Sequence, residues 1–370
     1  MSLKHLLLLG AGHAHVQVLA GLARNRPAGL AITVIAPHTR QLYSGMVPGF
    51  VAGHYKLDEC TMALDGLLAR SGARHLQDSG AELDAAAGTV TLTSGQKVAY
   101  DWLSLNTGPV MDRDHIEAQM PGAREHALFV RPMEAFGQLW PRVAEMASQR
   151  GIHLAVVGAG AAGLELAMAA AHALGPGSRV TLLAGGQLPG ASYPAGVQRR
   201  IARALQRLRI EVVQGACAGM APQGLLLASG EQLACDLPLL AVGAQAPQWL
   251  AGSGLTLDKA GFVAVNRYQQ STSHPAVFAV GDVASRADAP HARSGVYAVR
   301  AGPPLLANLR AAMHGQPLTA YRPQQRTLNL LSCGSRHAIA VWGGLSLEGA
   351  WVWRWKDRID RRFVAAYADA

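Results

Sequence analysis

Two glycine-rich turns limit what this chain can fold into. Gly10-Ala11-Gly12-His13-Ala14-His15 follows the apolar run Leu6 to Leu9, and Gly158-Ala159-Gly160-Ala161-Ala162-Gly163 follows Ile152 to Val157. Each stands where a strand ends and a helix begins. Glycines there make a tight turn and let backbone N–H groups approach a pyrophosphate at the helix N-terminus. One such turn is a weak sign. Two in one chain suggest two dinucleotides, and two dinucleotides side by side suggest electron transfer between them.

The rest of the chain agrees. Its 370 residues are too many for one simple core and suit two nucleotide domains plus a tail. Half of the residues are hydrophobic and 41 are glycine, as in a loop-rich α/β protein. No apolar run reaches the roughly 18 residues of a membrane span. The N-terminus feeds straight into the first strand, so no signal peptide is expected. Cys60, Cys217, Cys235 and Cys333 are too far apart for a C-x-x-C pair, which suggests reduced cytoplasmic thiols and no metal site. The net charge is +9, with basic clusters at Arg199 to Arg209 and Arg354 to Arg362. These could steer anionic nucleotides or touch the inner face of an anionic membrane, and a solvated helix face explains them as well. No nucleic-acid-binding motif is present.

Along the chain, Leu6 to Leu9 reads as a buried strand, His13 to Arg24 as its crossover helix and Ala31 to Ala36 as the next strand. Cys60 to Ser71 reads as a helix and Ala81 to Tyr100 as a β-meander. Trp102 to Leu105 is a strand ending in Asn106-Thr107-Gly108. Helix Pro132 to Arg150 leads into a second unit, with strands Ile152 to Val157 and Arg179 to Ala184 joined by helix Ala162 to Ala173. Leu237 to Val242 and Ala276 to Val280 are further strands, ending at Gly243 and at Gly281-Asp282. The predicted fold is α/β: two Rossmann-like dinucleotide-binding domains, the second inserted in the first, plus a small mixed α+β tail. The expected segments are 1–110 with 240–325, 111–239, and 326–370.

The second turn is a full G-x-G-x-x-G in strand–turn–helix context, with Glu165 two residues on. Ala184-Gly185-Gly186 stands where an acid would hold a ribose 2′-hydroxyl, and no arginine stands there for a 2′-phosphate, so NAD and NADP are not distinguished. The first turn departs further. His15 replaces the third glycine, and must displace the helix or turn its ring outward. Pro37-His38 replaces the acid. Support comes from Val277-Phe278-Ala279-Val280-Gly281-Asp282, an aspartate at a strand mouth able to accept hydrogen bonds from sugar or ribityl hydroxyls.

With these features the chain resembles the FAD-dependent pyridine nucleotide-disulfide oxidoreductase superfamily, with type II NADH dehydrogenases and sulfide:quinone reductases as broad neighbours. A narrower resemblance is to the flavoprotein domain found fused to selenide, water dikinase. It rests on Gly10 to His15, Tyr43 to Gly49, Ala52 to Tyr55, Gly295 to Pro303 and Trp355 to Asp360. The resemblance implies that Gly10, Gly12, Gly281 and Asp282 hold FAD, with Thr107 and Gly108 passing near it. It implies that Gly158, Gly160, Gly163 and Glu165 hold NAD(P), and that Val242-Gly243 marks the crossing between domains. The helix after Gly295 would aim its N-terminus at the flavin.

His13 and His15 would lie on the flavin side, either as acid–base groups or, as the favoured reading, packed against the phosphates or the following loop. Trp351, Trp353 and Trp355 read as a half-buried strand, with a membrane-interface tail as the alternative. Cys333 is the only thiol placed to approach the flavin, though a structural buried cysteine is the favoured reading there too, and no protein disulfide cycle is expected. The implied activity is hydride transfer from NAD(P)H through FAD to an unidentified acceptor such as a quinone. The alternatives are oxidation of a sulfide- or selenide-type donor, with a link to selenium metabolism, and a redox sensor or partner protein of low turnover.

Overall fold

The computed structural model describes residues 3–368. Strand β1 (Lys4–Leu9), helix α1 (His13–Arg24) and strand β2 (Leu30–Ile35) open the chain, followed by β3 (Arg74–Leu76) and β4 (Trp102–Leu105). The chain then builds a second sheet from β5 (Leu128–Phe129), β6 (His153–Val157), β7 (Arg179–Leu183), β8 (Glu211–Val213) and β9 (Leu237–Leu240). Helices α2 (Met133–Arg150), α3 (Ala161–Ala173) and α4 (Ala195–Arg207) accompany these strands. It returns to the first sheet with β10 (Val277–Ala279), which pairs parallel to β4.

The two sheets have the same plan, in the orders β10-β4-β1-β2-β3 and β5-β9-β6-β7-β8. In the first, the chain moves outward from β1 to β2 and comes back on its other side as β4. In the second, β6 has the same place between β7 and β9. A parallel sheet opens a crevice beyond its strand ends at such a reversal. Both glycine turns therefore lie at the mouths of crevices. Leu6, Leu7 and Leu8 are fully buried because a central parallel strand is covered on both faces, which is why this strand is unbroken apolar sequence.

An antiparallel meander accompanies each sheet: Gly80–Asp84, Thr89–Leu92 and Lys97–Ala99 by the first, and Cys217–Ala221, Gly224–Leu227 and Gln232–Ala234 by the second. Helix α5 (Gly295–Met313) packs on α1. The chain ends in the antiparallel strands β11 (Leu328–Ser332), β12 (Ala338–Trp342) and β13 (Leu345–Gly349), then helix α6 (Ala350–Ala368).

Two local expectations are corrected. Between Cys60 and Ser71 the helix is confined to Asp65–Ser71, because Thr61–Ala63 pairs as a strand with Arg40–Leu42. The three tryptophans lie on α6 and not on a strand. Val352, Trp353, Lys356, Asp360 and Val364 form its buried side, while Trp351 and Trp355 stack on the exposed side with centroids 6.4 Å apart. Trp351 and Trp355 are four residues apart, which is neighbour spacing on a helix, so the alternation satisfied both periods.

Candidate active site

The first crevice is a cavity of about 520 Å³. Gly10, Gly12, His13, Thr107, Gly108, Asp282 and Gly295 all line it, so residues from both ends of the chain meet there. Gly281 lies just behind, at φ +69. Asn106, expected only as part of a turn near the ligand, holds the parts together. Its N–H donates to Leu9 O (2.9 Å) and its carbonyl accepts from Gly12 N–H (3.2 Å). Its Oδ1 accepts from Ala14 and His15 N–H at the start of α1, at 3.1 and 3.2 Å, and its Nδ2 donates to Val280 O at 3.0 Å. A Cβ on Gly12 would stand 2.5 Å from Asn106 Oδ1, and one on Gly10, at φ +87, 2.6 Å from Asn106 O. These glycines are thus required by the protein's own packing.

His15 does not face the cavity, which corrects its reading as a cofactor contact. Its ring points inward, with Nδ1 2.6 Å from Gly10 O and Nε2 2.8 Å from Ser104 Oγ. The small Ser104 on β4 makes the room. The two expected outcomes, a displaced helix or an outward ring, did not allow for this pocket. His13 does line the cavity. Its Nε2 is 3.3 Å from Ser44 Oγ, and its ring packs on Tyr43 and Phe363. Burial lowers the pKa of both histidines to about 4, helped at His13 by the charge of Arg131 and opposed at His15 by the bond to Gly10 O. Both are neutral at pH 7.

Arg131 is a lining residue that sequence inspection missed. Its burial disfavours its charge, which Asp282 and Glu134 support. Burial raises the Asp282 carboxyl, against the pull of Arg131 and Arg293. The stretches Tyr43 to Gly49 and Trp355 to Asp360 meet beside this cavity. Lys356 Nζ donates to Gly45 O and to Asp360 Oδ2, both at 2.6 Å, and the lysine and aspartate are buried. Tyr55 OH donates to Asp357 at 2.7 Å.

The second crevice, about 340 Å³, is lined by Gly158, Ala184, Gly185, Cys217, Val242 and Gly243 among others. Among the described residues no side chain hydrogen-bonds the first N–H groups of α3. A Cβ on Gly160 would meet nothing within 4 Å, whereas one on Gly163 would collide with the Gly158 carbonyl. Gly160 therefore leaves room for a ligand, and Gly163 is needed to close the turn. Glu165 lines neither cavity, which corrects its reading as a nucleotide contact. Its Oε1 accepts Ser332 N–H at 2.8 Å, and burial raises its pKa to about 6. One helical turn past the loop, its side chain is carried toward β11.

The chain segments that pass between the crevices are bonded to each other. Val110 and Gln245 exchange backbone hydrogen bonds, at 2.9 Å and 2.8 Å. Val110 lines the first cavity and Gln245 the second. All four cysteines are free, and Cys333 is buried and lines neither cavity, its thiol pushed up to about 12 by burial, in keeping with a structural cysteine.

The fit to dinucleotides rests on these features: glycine turns at two switch points, a carboxylate after β10 in the first crevice, and open space above Gly160. Together they define a two-dinucleotide oxidoreductase fold. The profile of the pyridine nucleotide-disulphide oxidoreductase family matches residues 4–302, and the chain belongs to that family. It is a flavoprotein oxidoreductase whose cofactors are FAD and NAD(P). It is 26% identical over 334 residues to an NADH dehydrogenase-like protein of Mycobacterium tuberculosis, covering 85% of this chain and 78% of that protein. It is 30% identical over 291 residues to the ferredoxin–NAD(+) reductase component of the p-cumate 2,3-dioxygenase system of Pseudomonas putida, covering 76% of this chain and 68% of that one. In fold it is similar to the sulfide:quinone oxidoreductase of Aquifex aeolicus, with a TM-score of 0.80 at 17% identity over 99% of this chain and 92% of that chain. It is likewise similar to NDH2 of Plasmodium falciparum, solved with NADH, with a TM-score of 0.79 at 12% identity over 100% and 99% of the two chains.

Proposed function

We propose that the protein takes hydride from NAD(P)H in the second crevice and passes electrons from the first crevice directly to an acceptor such as a quinone. The observation that carries this reading is the Val110–Gln245 crossing, where two directly bonded residues each line one cavity. Such a junction suits a nicotinamide and a flavin brought together. Bound FAD supplies the redox chemistry, accepting a hydride and releasing electrons onward. In this reading Gly10, Gly12, Gly281, Asp282, Thr107 and Gly108 shape the FAD cavity, and neutral His13, backed by Tyr43 and Phe363, walls one side. Gly295 begins α5, whose N-terminal dipole favours negative charge at the cavity. Gly158, Gly160, Gly163 and Gly243 shape the nucleotide site, and residues 111–239 form the NAD(P)-binding domain within the FAD-binding segments 1–110 and 240–325.

No cysteine is among the described residues lining the first cavity, which favours NAD(P)H over a sulfide- or selenide-type donor. The narrower resemblance supports a setting in selenium metabolism by association alone. The test replaces all four cysteines with alanine and follows anaerobic bleaching by NADH and NADPH, then reoxidation by a soluble quinone. Both steps should stay within about twofold of wild type, since no thiol cycle takes part. Loss of reoxidation with bleaching intact would overturn direct electron exit. Failure of either nucleotide to bleach the flavin would overturn the donor.

A further inference from the structure

The two crevices differ most in charge. His38, Arg40, Asp78, Arg131, Glu134 and Asp282 line the first. The second is lined by backbone, by apolar side chains and by Gln119, Cys217 and Gln245, and no Lys, Arg, Asp or Glu is among the described residues lining it. The loops that approach it have the same character. No residue from Ala184 to Gln198, after β7, is charged, and none from Val212 to Gly230, through the end of β8 and beyond. Glu165 is close to the glycine turn in sequence, but its carboxylate is turned to Ser332 N–H. Arg200 and Arg203, on the helix α4 that follows, are engaged by Glu348.

NADH and NADPH carry the same reacting nicotinamide. They differ at the 2′ position of the adenosine ribose, a hydroxyl in one and a phosphate in the other. In a βαβ nucleotide fold that position falls beside the end of the second strand, where an acid accepts the hydroxyl or an arginine meets the phosphate. Such an acid also repels the phosphate, and such an arginine gives it a charge-assisted bond. Here the second strand, β7, runs into Ala184-Gly185-Gly186. Ala184 N–H donates to Val213 O at 2.9 Å, and Gly215 N–H donates to Gly185 O at 3.0 Å, which fixes the strand end against the segment after β8. Ala184 and Gly185 line the crevice. Gly186 is exposed, and a Cβ on it would meet nothing within 4 Å. The place has room for a phosphate and no charge to attract or repel one.

We propose that the second crevice accepts NADH and NADPH alike, and that Gly186 is the position at which one side chain would set a preference. The proposal rests on the donor reading above and narrows it to a site that does not discriminate between the two coenzymes.

The test uses the flavin-loaded protein and two readouts. Titration with the 1,4,5,6-tetrahydro forms of NADH and NADPH, which cannot give up a hydride, measures binding without turnover. Anaerobic bleaching by NADH and NADPH at low concentration measures hydride donation. In wild type the two coenzymes should agree within about tenfold in both readouts. Gly186→Arg should shift both ratios toward the phosphorylated coenzyme by about tenfold or more, and Gly186→Glu should shift them the other way. Flavin content and Tm of both variants should match wild type, because the added side chain begins in open space. A wild-type preference of more than about tenfold in either direction would overturn dual acceptance. Two well-folded variants with unchanged ratios would overturn the placement of the ribose at Gly186. Binding of one coenzyme form without the other would sink dual acceptance and leave donation from that coenzyme standing, whereas binding of neither would overturn the donor reading itself.

Discussion

The two glycine turns occupy equivalent places in equivalent sheets, yet they are built differently. In the second, Gly163 packs against the Gly158 carbonyl, and Gly160 faces open space. In the first, His15 stands where Gly163 would be and bonds the equivalent carbonyl, Gly10 O, through Nδ1. The Asn106 side chain accepts the Ala14 and His15 N–H groups at the helix start, whereas among the described residues no side chain hydrogen-bonds the first N–H groups of α3. One turn is locked by the protein, and the other keeps its donors for a ligand. Breaking the pattern at a third glycine is tolerated where a polar side chain can reproduce the contact.

This difference can be broken by substitution. Gly12→Val should have the largest effect, because its Cβ alone falls 2.5 Å from a buried amide oxygen. Flavin content should fall at least about tenfold and Tm should drop, since overpacking costs about 1–3 kcal/mol or more. A flavin-replete variant with wild-type Tm would show that the first turn is not locked. Asn106→Ala comes next, removing three side-chain hydrogen bonds. Buried donors left unpaired cost about 1–3 kcal/mol each, so urea unfolding should show a loss of roughly 3 kcal/mol or more.

The matching change in the second turn, Gly160→Val, should leave Tm and flavin content unchanged. It should raise KM for NAD(P)H about tenfold, roughly 1.4 kcal/mol of binding. A fall in Tm equal to that of Gly12→Val would erase the distinction. The smallest effect concerns pH. His13 and His15 have pKa values lowered to about 4 by burial. The unfolded chain therefore binds more protons between pH 6.5 and 4, and stability falls as pH falls through that window. From pH 6.5 to 5.5 each histidine should contribute a loss of about 1 kcal/mol. Asn in place of His15 should reduce this slope by the share of one histidine; an unchanged slope would show that the ring is not held neutral.

Local sequence was sufficient for the parts that depend on local chemistry. Apolar runs before the glycine turns determined the buried parallel strands, because such strands are covered on both faces and need no polar alternation. The spacing of the turns along the chain, with Gly281-Asp282 far downstream, determined the α/β class. The tertiary structure decided what depends on distant partners. Whether His15 turned in or out depended on Ser104, 89 residues away. Asn106 acquired its role from Ala14, His15 and Val280, none of them near it in sequence. Glu165 was carried toward Ser332 by the pitch of its helix. The tryptophans of the tail fitted both periods, and burial of Lys356 and Asp360 against Gly45 selected the helix. A sequence records which contacts each residue is able to make, and packing selects among them because a buried polar group must find a partner wherever the fold brings one.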